Sequence, residues 1–257
     1  MDSLCGWEDI RMHRFFADPV PGERHLALLS PEDARHAAAV LRLKPGDGIE
    51  VICGGSLWRA VIIEADPRSV TVEIKESLPS TEPDLKVTLF QGIPKSDKMD
   101  WIVQKATEIG VSRIVPLEMN RCVARIMKSD MEKKLRRWEK IAREAAKQSG
   151  RCLVPEILPV YSPAQLNTLP ALPHVNAVPW EGAADFGPLV FHNRYPSISS
   201  LGILIGPEGG ISPEEIHCLK GFGFIPITLG KRILRTETAG LSAAAVFMSL
   251  YGEMDRT

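Results

Sequence analysis

Leu204-Ile205-Gly206-Pro207-Glu208-Gly209-Gly210-Ile211-Ser212-Pro213-Glu214-Glu215 contains three structural signals within twelve residues. The apolar run Gly202–Ile205 has the composition of a buried strand. Gly206–Gly210 is a turn that lets backbone come close to whatever lies above it. Ser212 then offers an N-cap hydroxyl, Pro213 suits the first helical position, and Glu215 stands where a capping box needs its acid. The helix so begun runs to Lys220 and is closed by Gly221. Strand, glycine loop and capped helix in direct succession form the repeating unit of an open, mostly parallel α/β sheet.

The same alternation continues on both sides. Downstream, the strand Ile225–Leu229 leads through Gly230–Arg235 into a helix rich in small residues, Glu237–Tyr251. Upstream, Val87–Gln91 and Ser112–Leu117 read as buried strands, and Val175–Val178 as another. Asp97–Ile109 is an amphipathic helix, with Met99, Ile102, Val103, Ala106 and Ile109 on one face and Gly110 as its stop. Asp130 caps a long basic helix to Ser149, where Leu135, Trp138, Ala142 and Ala145 share a stripe and Gly150 ends it.

Before this region the texture differs. Gly48–Cys53, Leu57–Glu64 and Ser69–Lys75 are short strands separated by Pro45-Gly46 and Gly54-Gly55, with one helix, capped by Ser30, running to about Val40. These features predict a small β-barrel-like domain at 12–78. A proline-rich linker follows at 79–84, and the α/β domain occupies 85–254. Met1–Arg11 carries acids and lacks the apolar core of a secretory signal.

Five cysteines lie far apart without a C-x₂-C pair, which disfavours a zinc cluster or a disulfide framework and suits a reducing, cytoplasmic setting. No apolar stretch approaches the roughly 20 residues that span a bilayer. The net charge of −1 conceals a block at 121–151 with 11 basic and 4 acidic residues. Such a block fits either a phosphate backbone or a solvated helix face carrying i,i+4 pairs.

In open α/β sheets ligands bind at the carboxyl ends of the strands, where the loops Gly206–Ile211 and Gly230–Arg235 fall. The first lacks the Lys-Ser/Thr of a phosphate loop and the G-x-G-x-x-G spacing, which disfavours a triphosphate site. Taken alone it is either a plain strand–helix turn or a loop whose exposed N–H and C=O groups read a flat base such as adenine. The second crowds Arg232, Arg235 and Glu237 beside the apolar Ile233 and Leu234. Charges so placed contact a ligand or one another.

Together, Gly206–Ile211 and Leu229–Ala239 closely resemble the signature of the 16S ribosomal RNA (uracil-N3)-methyltransferases, the RsmE-type branch of the SPOUT class. Lys98–Trp101, Gln104–Gly110, Ile114–Pro116 and Arg121 are similar to that family's first motif. Trp138–Ala142, Gln148–Arg151 and Pro155–Ile157 are similar to its second. Arg14–Phe16, His36, Val40–Arg42 and Gly46-Asp47 match in the N-terminal part, so the resemblance covers essentially Arg14 to Gly252. The family pattern begins near Met12, which implies that Met1–Arg11 is a dispensable extension and Met12 a candidate start.

The resemblance implies an N-terminal PUA-like barrel and a C-terminal parallel-sheet domain with a trefoil knot, which no spacing argument would have found. It implies S-adenosyl-L-methionine as cofactor and no metal. It also implies a homodimer with the site at the subunit interface, and a uridine of small-subunit ribosomal RNA, naked or in a ribosomal particle, as substrate. Candidate cofactor contacts are Leu204, Ile205, Gly206, Gly210, Leu229, Gly230, Ile233, Leu234 and Thr236. Arg232 or Arg235 would stabilise the uracilate or grip a phosphate. Glu208 and Glu237 would accept the N3 proton, or else be structural, Glu208 capping the next helix and Glu237 pairing with an arginine. Arg14, Arg42, Arg136, Arg137, Lys140 and Arg151 are candidate RNA contacts. Two rivals are a non-catalytic RNA-binding module, which leaves the paired loops unexplained, and a related methyltransferase acting on another RNA, such as a transfer RNA ribose 2′-OH.

Overall fold

A computed structural model describes residues 12–23, 25–123 and 126–255, and the extension Met1–Arg11 lies outside them. The chain divides between Thr81 and Glu82 into two units.

The first unit is a closed barrel of five strands: β1 (Arg14–Pro19), β2 (Leu26–Leu29), β3 (Gly48–Cys53), β4 (Ser56–Asp66) and β5 (Ser69–Leu78), in the order β1-β2-β5-β4-β3. Parallel pairing of β1 with β3 closes it, so no strand edge is left open. Alternate residues turn inward, and Phe15, Ala17, Ile49, Val51, Ala60, Ile62, Val70 and Val72 form its core. β1 and β2 were not anticipated from sequence. The predicted helix is there but changes character: α1 (Pro31–Arg35) starts with Asp33 N–H donating to the Ser30 hydroxyl at 3.3 Å, and a π-helical turn continues from His36 to Val40.

The second unit has six strands, all paired in parallel: β6 (Lys86–Gly92), β7 (Arg113–Leu117), β8 (Glu156–Ile157), β9 (Val175–Pro179), β10 (Ser200–Ile205) and β11 (Phe224–Ile227). Their order is β11-β9-β10-β6-β7-β8. Helices α2 (Lys98–Ile109), α3 (Lys128–Ser149), α4 (Pro188–Arg194) and α6 (Thr236–Leu250) cover one face. Helix α5 (Pro213–Gly221) and a 3₁₀ turn at Pro163–Thr168 cover the other. Strands buried on both faces explain why β10 reads as a continuous apolar run and why β6 is buried from Val87 onward, its polar Thr88 and Gln91 included. Within β10 the period of two sends Ile203 and Ile205 to the α6 side and Leu204 to the α5 side.

The capping box of α5 forms as expected: Glu215 N–H donates to the Ser212 hydroxyl at 3.2 Å, and Ser212 N–H to the Glu215 carboxylate at 2.9 Å. Helix α3 starts earlier than expected. Its N-cap is Met127, and Asp130 lies in the first turn, where its charge faces the positive end of the helix dipole rather than capping it. No helix among the described residues is long and apolar enough to cross a membrane.

Candidate active site

Because all six strands run in parallel, the loops after β9, β10 and β11 emerge at the same end of the sheet. They enclose a cleft of about 720 Å³ lined by Ile205–Ile211, Thr228–Thr236, Ala239 and a third segment around Trp180 and Glu181. A cleft of that size fits a nucleoside-sized ligand. The two loops singled out in the sequence are therefore brought together, although 17 residues separate Ile211 from Leu229 in the chain. Gly210 takes a φ of +74°, a conformation that favours glycine, and closes a turn by donating to Pro207 O at 2.9 Å.

Of the predicted cofactor contacts, Ile205, Gly206, Gly210, Leu229, Gly230, Ile233, Leu234 and Thr236 all line the cleft. Leu204 does not: it is fully buried in the core beneath α5, on the other side of the strand from Ile205. Ile233 is 88% exposed, so this large apolar side chain serves no core and lies open on the cleft wall. Thr236 ties the loops together. Its hydroxyl donates to Gly206 O at 2.6 Å and accepts from the amide of Gln91, at the end of β6, at 2.9 Å.

Arg232 and Arg235 are exposed residues of the cleft wall, and among the described residues their guanidinium groups have no partner. Both are thus available to an anionic or polar ligand. The two candidate carboxylates are in a different situation. Glu208 lines the cleft and Glu237 does not, yet both are held by one ammonium: Lys98 Nζ lies 2.9 Å from Glu208 and 3.2 Å from Glu237. Burial pushes the Glu208 carboxyl up, but hydrogen bonds from Lys98 and the backbone N–H of Lys95 outweigh it and hold the group below its ordinary range. The hydrogen bonds to Glu208 and then Glu237 raise Lys98 in turn. Glu208 does not cap α5, since Ser212 and Glu215 do so, and Glu237 pairs with a lysine rather than an arginine.

The RNA-contact candidates separate into three groups. Arg136, Arg137 and Lys140 line a groove of about 640 Å³ between α2 and α3. Arg136 pairs with Glu132, and Arg137 donates to Asp100 at 2.8 Å, so the helix face does carry internal pairs. In the barrel, Arg42 is exposed with a φ of +57°, while Arg14 bonds Glu50 at 2.8 Å. Arg151 is a correction. It is buried, donating to Thr107 O, Val111 O and the Glu82 carboxylate, so its charge is spent inside the fold and no phosphate can reach it.

Sequence reasoning did not single out Lys98 for a role or mention Trp180 and Glu181. The last two follow a parallel strand, so the rule that ligands bind at carboxyl ends would have found them. β9 lies between β11 and β10, which puts its loop between the other two.

Both units match RNA methyltransferase families, which makes this chain of barrel and parallel sheet an RNA methyltransferase. Residues 81–248 match the RNA methyltransferase domain family and residues 29–75 the RNA methyltransferase PUA domain family. The chain belongs to the ribosomal RNA small subunit methyltransferase E family. It is 33% identical to the protein of that name from Mycobacterium bovis, over 89% of this chain and 88% of the relative. Two solved structures are similar over most of their length. A putative methyltransferase from Legionella pneumophila, in complex with the bound cofactor SAM, is 33% identical with a TM-score of 0.79, covering 93% of this chain and 98% of that one. The ribosomal RNA small subunit methyltransferase E of Neisseria gonorrhoeae, bound to S-adenosyl methionine, is 31% identical with a TM-score of 0.78, covering 95% and 100%.

Proposed function

We propose that this protein methylates N3 of a uridine in small-subunit (16S) ribosomal RNA, with S-adenosylmethionine as methyl donor. The observation that carries this reading is the convergence of Gly206–Ile211 and Leu229–Thr236 on one cleft, with two arginines on its wall that are unpaired among the described residues. The Legionella and Neisseria relatives hold this cofactor, and the residues here fit it. Loop backbone at Ile205, Gly206, Gly210, Leu229, Gly230 and Leu234 offers hydrogen-bonding groups, and Ile233 offers an apolar face.

When bound, S-adenosylmethionine supplies a methyl group already activated by its sulfonium, so no metal is required to expel the thioether. The task left to the chain is to orient the uracil and to favour loss of its N3 proton. Arg232 or Arg235 performs the second part by stabilising negative charge on the uracil oxygens as the proton leaves. Glu208 and Glu237 are better suited to holding Lys98 than to accepting that proton, because both carboxylates are already engaged.

On the same reading 12–78 is a PUA-like RNA-binding domain and 85–254 the catalytic domain with its knot. Of the expected linker 79–84, Glu82 and Asp84 bond within the second unit, so the connection is shorter than expected. The protein works in the cytoplasm as a homodimer, on ribosomal RNA or a ribosomal particle. Arg14, Arg42, Arg136, Arg137 and Lys140 are its RNA contacts.

The test incubates the protein with labelled S-adenosylmethionine and small-subunit ribosomal RNA, then separates the modified nucleosides by mass. The expected product is 3-methyluridine. Ribose methylation would transfer the protein to a different reaction, and absence of any heat on titrating S-adenosylmethionine would leave only an RNA-binding module.

A further inference from the structure

Three chain segments far apart in sequence meet behind the cleft. Lys98, at the start of α2, contacts Glu208 of the β10–α5 loop and Glu237 in the first turn of α6. The corner preceding α2 contributes as well, through Lys95 N–H donating to the Glu208 carboxylate at 3.1 Å. That corner is strained: Ser96 adopts a φ of +57°, which non-glycine residues rarely take. At the end of β6, a side chain on Gly92 would place its Cβ 2.6 Å from Pro207 N, so only glycine lets the strand and the loop approach this closely. Lys98 and Glu237 lie outside the cleft lining, and Glu208 lies on it.

From this we infer that Lys98 is a positioning residue that clamps the two cofactor loops at a fixed separation, acting through Glu208 and Glu237 and not by touching the ligand. The inference rests on reading the cleft as the S-adenosylmethionine site. The physical argument is one of geometry and charge. Glu208 is carried by the first loop, and Glu237 follows the last residue of the second, Thr236. One ammonium between two carboxylates holds both ends, and removal of the ammonium leaves two like charges facing each other across the gap. The loops would then part, and backbone groups that must converge on one small molecule would no longer do so. Loss of about 1 Å of registration costs roughly 10²-fold in reaction rate at such a site. The bond between the Thr236 hydroxyl and Gly206 O links the same two loops independently of Lys98, so the clamp sets their spacing without being their only tie.

The experiment compares Lys98→Met, Lys98→Arg, Glu208→Gln and the double variant Lys98→Met with Glu208→Gln, in the full chain. S-adenosylmethionine and S-adenosylhomocysteine affinities are measured by calorimetry, and melting temperature is recorded for each. Lys98→Met should weaken both ligands by roughly 10-fold to 10²-fold, as expected when about two backbone hydrogen bonds to the ligand are lost. Lys98→Arg should recover most of that loss, and the double variant should bind no worse than Lys98→Met alone. Wild-type affinity in Lys98→Met, strictly additive losses, or no recovery with arginine would overturn the clamp. A second readout needs no ligand: exchange of the Gly210 and Ala239 amide hydrogens, whose bonds to Pro207 O and Arg235 O are 2.9 and 2.8 Å long. Both should quicken in unliganded Lys98→Met while Gly110 and Gly150 are unchanged, and unaltered exchange would also overturn the inference. Faster exchange in a protein whose wild type binds no S-adenosylmethionine would sustain the clamp and remove the cofactor reading instead.

Discussion

Arg151 and Glu82 form an ion pair almost sealed from water: Arg151 Nη2 lies 2.6 Å from the Glu82 carboxylate, and their side chains are 5% and 7% exposed. The pair is fully hydrogen-bonded around its rim. Arg151 Nη1 donates to Val111 O at 2.6 Å and Thr107 O at 3.1 Å, while Glu82 accepts from the backbone N–H groups of Cys152 and Leu153. It therefore locks the first residue of the second unit to the ends of α2 and α3. Removing one partner strands the other charge in a site with little water. Arg151→Met should cost about 3–5 kcal/mol in the stability of this unit, and pairing it with Glu82→Gln should return part of the loss. Denaturant unfolding followed by tryptophan fluorescence checks both, and a stability change under about 1 kcal/mol for Arg151→Met would contradict the account.

That pair also shows where sequence reading stops. Arg151 belongs to a run of basic residues, and counting charges does not reveal which of them points inward. Local signals did well where local physics decides: the Ser212–Glu215 box, the Gly110 and Gly150 helix ends and the apolar strands β6 and β10 all appear where expected. β1 and β2 were missed because a strand of four to six residues with mixed burial carries little periodicity of its own and is defined by its partners. Lys98 stood inside a recognised motif, but its partners lie 110 and 139 residues away and its contacts exist only in the fold. Leu204 and Ile205 look alike in sequence, yet the pleat of β10 sends one beneath α5 and the other to the α6 side, where it also lines the cleft.

The α2–α3 groove is the best-defined test of RNA contact. Joint substitution of Arg136, Arg137 and Lys140 by alanine should weaken RNA binding and flatten its salt dependence while sparing cofactor affinity. Each lost phosphate contact lowers the slope of log K against log salt by about 0.7–0.9. Arg136 and Arg137 are already paired with Glu132 and Asp100, so the total change should fall short of three full contacts. Filter binding between 50 and 200 mM salt, in the range where such slopes are read, gives the answer. An unchanged slope would return the helix to plain solvated surface.

The Lys98 cluster should also leave a signature in the pH dependence of stability. Glu208 is held below its ordinary 4.5 in the folded protein, so its contribution is complete above that value and is lost as pH falls through the depressed one. Lys98 is held above its ordinary 10.5, so its contribution is complete below that value and is lost as pH rises through the raised one. Between these limits the difference in melting temperature between the wild type and Glu208→Gln should be flat, and below pH 4.5 it should shrink. A difference that grows on acidification would show that the carboxylate is destabilised by the fold, the opposite of what its hydrogen bonds require.

Arg232 and Arg235 lie three residues apart before α6 and need not point the same way, so their roles should separate. A guanidinium that stabilises the developing uracilate adds nothing to the binding of a cationic sulfonium. Loss of that arginine should therefore slow methyl transfer by roughly 10²–10³-fold while cofactor affinity stays nearly intact. Raising the pH should partly rescue the variant, because bulk base then helps to ionise N3. The arginine that serves mainly to grip phosphate should behave differently: its loss should weaken RNA binding and be overcome at saturating RNA. Single-turnover methylation across pH, run beside cofactor titration for Arg232→Ala and Arg235→Ala, distinguishes these outcomes. If both variants turn over at the wild-type rate, or lose activity only through lost cofactor binding, the arginines are not catalytic and the Leu229–Thr236 loop is a cofactor scaffold alone.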